Sequence, residues 1–210
     1  MFPTGAYAHS FGLEALVEHG TVQDEPSLRR YLADVMVPSL AGTDLPIVHA
    51  AWQAASARDA ARLVELDDLA EALRPTRELR DASRRTGSQR LQTLLELDPR
   101  NLLREFVDLG GKGHAPVVYG IECALWSVPE RSALQAFAYQ AVAGLVSAAF
   151  KLIPLGQMAA QRLIADLAES LETHVDDALR IAPDDAGWFA PMTDIASSRH
   201  EQAYTRLFIS

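Results

Sequence analysis

In one segment after another of this 210-residue chain, apolar residues recur at intervals of three and four, and strict alternation is nearly absent. That spacing gathers side chains on one side of a helix and scatters them over both faces of a strand. The fold class it leaves is all-α. Residues 27–40 show the pattern, with Leu28, Tyr31, Leu32, Val35, Met36 and Leu40 on one stripe. Pro26 suits the first helical turn there, and Pro38 bends or ends the helix late. The same spacing predicts helices over 11–19, 45–56, 59–73, 76–97, 102–109, 116–128, 131–152, 155–181 and 194–208. Pro75, Asp98-Pro99, the glycine-rich 110–113, Pro129 and Pro154 fall between them, where helices end. Roughly ten helices on short connections read as a single-domain helical bundle over residues 1–210.

Two of these helices are distinctive. Residues 131–152 include Ala133, Ala136, Ala138, Ala141, Ala143, Gly144, Ala148 and Ala149, small side chains that let neighbouring backbones come close, so this helix is expected at the centre of the bundle. Residues 155–181 carry Leu163, Ile164, Leu167, Leu171, Val175 and Leu179 on one side and Asp166, Glu169, Glu172, Asp176 and Asp177 on the others. That helix is expected to pack on one side and be solvated on the other.

Composition excludes whole classes of function. The chain has 19 basic and 28 acidic residues, a formal charge of −9, and a field of that sign repels phosphate backbones and anionic lipid surfaces. Neither nucleic acid nor membrane is an expected partner. Cys123, the single cysteine, makes neither an intramolecular disulfide nor a thiolate metal cage, which suits a reducing cytoplasm. The longest nearly uninterrupted apolar stretch, 141–150, is about half the roughly 20 residues of a membrane span, and no export signal is read at the start.

The residues that could do chemistry are dispersed. His9, His19, His49, His114, His174 and His200 include no His-x-x-x-His pair, so a metal site would have to be assembled from distant segments or across a dimer. Six surface or hydrogen-bonded histidines is the simpler reading. Cys123 lies on an apolar helix with no adjacent His or cation to activate it and reads as a buried structural thiol. Neither Gly-x-Ser-x-Gly nor Ser-x-x-Lys occurs, and Gly110-Gly111-Lys112-Gly113 lacks the spacing of a phosphate-binding loop. No constellation supports an enzyme.

Polar specificity concentrates elsewhere. Arg74, Arg77, Arg80, Arg84, Arg85 and Arg90, with Glu78 and Asp81, put a basic strip on one helix of an acidic protein. Such a run is most often a solvated face, and it also suits a partner with an acidic face. Two further clusters lie towards the ends. The first holds Tyr7, His9 and Ser10, where Ser10 suits a helix cap. The second holds Arg199, His200, Glu201, Tyr204, Arg206 and Ser210, groups that require hydrogen-bonding partners if buried.

Taken in order, several segments resemble the urease accessory protein UreF family. They are 2–14, then Thr76-Arg77-Glu78-Leu79-Arg80 with Arg84 and Gly87, then His114-x-Pro116 with Gly120. Lys151-Leu152-Ile153-Pro154-Leu155-Gly156-Gln157 and Gln161 follow, and Ser198-Arg199-His200-Glu201 with Tyr204, Arg206, Leu207, Phe208 and Ser210 closes the series. Ala6 stands where the family's opening turn usually has a second glycine. The resemblance implies an all-α, homodimeric, non-catalytic chaperone. It would bind a UreD/UreH-type accessory protein and recruit a UreG-type GTPase, so that nickel is delivered to apo-urease. No tightly bound cofactor is expected. The expected partner contacts are Tyr7, His9 and Ser10 with Arg199, His200, Glu201, Tyr204, Arg206 and Ser210. In this reading the opening turn clasps the closing helix, Tyr7 and His9 meeting Arg206, Glu201 or the carboxylate of Ser210. Arg77, Glu78, Arg80, Lys151 and Gln157 are expected on the GTPase-facing or dimer surface. Lys151 suits equally a cation at a helix C-terminus. Two alternatives stand beside this: a direct nickel metallochaperone using His9, His114 or His200 across a dimer, and a helical interaction module unrelated to urease.

Overall fold

The computed structural model describes residues 12–97, 101–189 and residue 195. Ten α-helical segments run through them: α1 (Leu13–Glu18), α2 (Glu25–Tyr31), α3 (Val37–Gly42), α4 (Asp44–Ser56), α5 (Ala60–Ala72), α6 (Arg77–Leu97), α7 (Asn101–Asp108), α8 (Ala115–Leu125), α9 (Glu130–Ala149) and α10 (Gln157–Ala178). The class is all-α, as the periodicity predicts. The expected helix at 194–208 lies outside the described residues, apart from Ile195.

Local chemistry sets the helix starts. Asp24 accepts a hydrogen bond from the Ser27 backbone N–H at 2.9 Å and closes a reciprocal capping box, so α2 begins two residues before the predicted position. Asp59 takes the Arg62 N–H at 2.9 Å and caps α5. Gly110, at φ +95°, ends α7; its N–H and that of Gly111 return to Val107 O and Phe106 O. A residue with a Cβ resists that backbone conformation.

Pro38 does not end its helix. Residues Leu32–Met36 form a π turn between α2 and α3, in which the Val37 N–H donates to Leu32 O five residues back. A proline at 38 has no N–H for the carbonyl four residues earlier, and its ring crowds that carbonyl. Widening the turn relieves both problems and lets the helix continue to Gly42.

Most of the buried apolar side chains fall into two clusters that meet along α4 and α8. Leu45 and Val48 of α4 and Tyr119 and Cys123 of α8 face a cluster built with α1, α2, α9 and α10. Ile47, Ala51 and Ala54 of α4 and Val117, Val118 and Ile121 of α8 face another, built with α5, α6 and α7. Gly120 is where the two spine helices touch: a Cβ there would lie 2.7 Å from Val48 O and 2.8 Å from the Ala51 Cβ. The centre of the fold is therefore α4 with α8, and the expectation that 131–152 is central is corrected. The small residues of α9 do allow close approach on its buried side, but Tyr139 is 49% exposed and a Cβ on Gly144 would meet nothing within 4 Å. The α10 stripe of Leu163, Leu167, Leu171 and Val175 is buried as expected. Among the described residues no helix is long and apolar enough to cross a membrane.

Candidate functional site

The basic strip lies along α6, and the fold uses much of it. Arg74, just ahead of the helix, pairs with Asp44 of α4 and donates to Ala70 O at 2.6 Å. Arg80 donates to the carbonyls of Arg74 and Pro75 at 2.7 and 3.0 Å, closing the turn from α5 into α6. Arg84 lies 3.6 Å from Glu71 and 3.2 Å from Asp81. Arg90 pairs with Glu122 of α8 and lies 4.9 Å over the Tyr119 ring. Arg77 is more exposed and makes an i,i+4 pair with Asp81 at 3.4 Å. Glu78 is half-buried and Arg85 exposed.

Beneath the strip is a polar junction that sequence reasoning missed. Asp67 of α5, 1% exposed, accepts three backbone N–H groups: Lys112 at 2.6 Å and Gly113 at 3.0 Å on Oδ2, and His114 at 2.7 Å on Oδ1. One buried carboxylate thus ties down the loop before α8. The available signal was an acid on an apolar stripe, since Leu63, Leu66 and Ala70 are buried on the same side of α5. Gly87 of α6 lies against this loop, where a Cβ would come within 2.1 Å of Gly113 O. That accounts physically for glycines at 87 and 113, the latter at φ +81°.

His114 is fully buried, with Nε2 3.0 Å from Glu71 Oε2 and Nδ1 3.1 Å from Ser83 Oγ. A carboxylate only accepts, so Nε2 carries the proton. The Ser83 hydroxyl donates to Nδ1 while accepting from the Ala115 N–H at 3.2 Å. Burial holds the ring's proton affinity below the usual imidazole value, against the pull of Glu71 and Asp67. Glu71 is held below the usual carboxyl range, first by its hydrogen bond from His114 and then by Arg84 and Lys112. With both nitrogens engaged and no exposure, His114 is closed to a metal.

The other candidates lie apart from this junction. Lys151 is exposed in the turn after α9, which buried Ile153 pins to the first cluster, and Gln157 is the exposed first residue of α10. Lys151 and Gln157 thus flank the connection from α9 to α10, whereas Arg77, Glu78 and Arg80 lie in the first turn of α6. Tyr7, His9, Ser10, Arg199, His200, Glu201, Tyr204, Arg206 and Ser210 lie outside the described residues. Cys123 is 5% exposed, and burial raises its thiol to about 11, as expected of an inert structural cysteine. His49 lies 2.7 Å from Glu130, and His174 Nδ1 lies 2.9 Å from Ser170 O. Among the described residues no group of three or more His, Cys, Asp or Glu side chains is placed to hold a metal ion.

Among the described residues, this arrangement is a surface helix braced by polar contacts to α5, α8 and the loop before α8. The UreF family model matches residues 22–168. The chain is 38% identical over 210 residues to the urease accessory protein UreF of Granulibacter bethesdensis, covering 100% of this chain and 89% of that protein. It is 39% identical to the UreF of Azoarcus sp. over 220 residues, covering 99% and 90%. Identity to the UreF of Pseudomonas fluorescens strain SBW25 is 36% over 211 residues, covering 99% and 93%. With the family model spanning most of the chain and these relatives matching it from end to end, the chain belongs to the UreF family of urease accessory proteins, which are not enzymes.

Proposed function

We propose that this chain is a non-catalytic scaffold of urease maturation that works as a homodimer in the cytoplasm. It binds a UreD/UreH-type accessory protein and recruits a UreG-type GTPase, and the assembly inserts nickel, as cargo, into apo-urease. The observation that carries the reading is the end-to-end match to urease accessory proteins. Physical support comes from α6, where buried or half-buried contacts fix the helix and leave Arg77 and Arg85 outward for an acidic partner. In this reading Arg77, Glu78 and Arg80, with Lys151 and Gln157, serve the GTPase-facing or dimer surface. The UreD-type partner is met by Tyr7, His9 and Ser10 with Arg199, His200, Glu201, Tyr204, Arg206 and Ser210.

Co-expression with UreD/UreH-type and UreG-type partners from one source, followed by mass determination of what co-purifies, tests the proposal. A stable assembly with two copies of each chain is expected; a chain that binds neither partner overturns it. Arg206→Ala is expected to abolish the UreD-type complex with an unchanged far-UV helical signal.

A further inference from the structure

The first half of α6 is held differently from the rest of the molecule. Among the described residues, no side chain of α6 before Leu91 belongs to either apolar cluster; Ala82 and Ser83 are buried there, outside both. Its attachments are polar: Ser83 to His114 and Ala115, Arg84 to Glu71, Arg80 to the carbonyls ahead of the helix, and Ser88 to Lys112 O at 3.2 Å. A segment with little apolar burial opens locally at low cost once its polar contacts fail.

Those contacts depend on the proton inventory at His114. With the ring neutral every group is matched: Nε2–H donates to Glu71, Ser83 O–H donates to Nδ1, and Ala115 N–H donates to Ser83 Oγ. A second ring proton, taken up at Nδ1 from solvent, turns that nitrogen into a donor. The Ser83 oxygen then faces two donors, and its own proton loses its acceptor inside a closed junction. We infer that His114, Ser83 and Glu71 form a pH-sensitive latch that holds the first half of α6 on α5 and α8 while the imidazole is neutral and releases it when Nδ1 is protonated. The charged groups around the ring are Asp67, Asp68 and Glu71 from α5, Arg74 from the α5–α6 connection, Arg84 from α6 and Lys112 from the loop. Acids and bases are closely matched, so the packing of the neutral ring decides the balance. Release would carry Arg77, Glu78 and Arg80 with the helix. The inference goes beyond the scaffold proposal and does not depend on it.

Amide hydrogen exchange of the full chain at pH about 7.5 and about 5.5, on either side of the imidazole range, tests the latch once rates are corrected for intrinsic chemistry. Protection over residues 77–86 is expected to fall about tenfold at the lower pH, about the most that one imidazole proton of ordinary value about 6.5 supplies over that interval, and to stay below that of the α9 and α10 cores at both pH values. No loss in 77–86, or protection there equal to that of the α9 and α10 cores at both pH values, which would mean opening only by global unfolding, overturns the inference. Glu71→Gln removes a carboxylate that favours the charged ring, so the midpoint should move to lower pH; an unmoved midpoint rules out His114 as the titrating group. His114→Gln should make the protection of 77–86 independent of pH. If that variant does not fold, Glu71→Gln still decides the question.

Discussion

At the scale of single residues, glycines and one acid carry much of the specificity. Gly120→Ala would put a methyl against the α4 backbone, which cannot rotate away as a side chain can, and is expected to cost about 1–3 kcal/mol in urea unfolding. Gly144→Ala is the opposite case. Its Cβ meets nothing, and alanine in a helix interior is expected to stabilise by about 0.5–1 kcal/mol in the same assay. Asp67→Ala strips the acceptor from three N–H groups, each costing about 1–3 kcal/mol if left unsatisfied. A loss of at least about 3 kcal/mol is expected. Recovery of wild-type stability would mean that the loop before α8 finds other acceptors.

At the scale of elements, the helices were legible because proline and capping residues punctuate this chain where helices stop and start. Pro75 before α6 is legible from residue type alone, and the apolar spacing starts a helix at 59, where Asp59 is the cap of α5. The π turn was not legible, since periodicity registers Pro38 as a bend or an end and is blind to a turn widened by one residue. The rank of α9 was misjudged because small residues permit burial without enforcing it. Candidate site residues were legible as types, but their partners were not: that Arg80 spends its donors on carbonyls six and five residues back depends on a turn that no spacing rule reveals. The join between α6 and α8 yields its own prediction. Arg90 and Glu122 are only 12% and 13% exposed, so Arg90→Met alone leaves a largely buried carboxylate unpaired and is expected to cost about 3 kcal/mol. Adding Glu122→Leu should restore most of that loss, which a double-mutant cycle measures.

At the scale of the whole molecule, two apolar clusters on a shared α4–α8 wall and an acidic surface define the response to pH. His114 resists protonation in the folded state, so it contributes nothing while both states are neutral. Below the unfolded value of about 6.5 the unfolded chain gains a proton that the native ring refuses, and stability falls as pH falls. Glu71, held low, stabilises above the ordinary carboxyl value of about 4.3 and loses that contribution as pH drops through its native value. Urea midpoints are therefore expected to decline from about pH 6.5 downward, and His114→Gln to flatten the upper part of that decline. Beyond the π turn, geometry acts on the molecule as a whole. A π turn holds one residue more than the α turn it replaces, and each residue turns a helix by about 100°. Val37, Leu40 and Ala41 are therefore aimed inward by a surplus residue upstream. At the end of that helix Gly42 O receives the Gly187 N–H at 2.7 Å, and a Cβ on Gly42 would come within 2.9 Å of Gly187 O. Excising exposed Asp34 would wind the helix back by that angle and swing Gly42 off its mate, so the stretch of chain after α10 is kept in place by a miscount in a helix near the other end of the sequence.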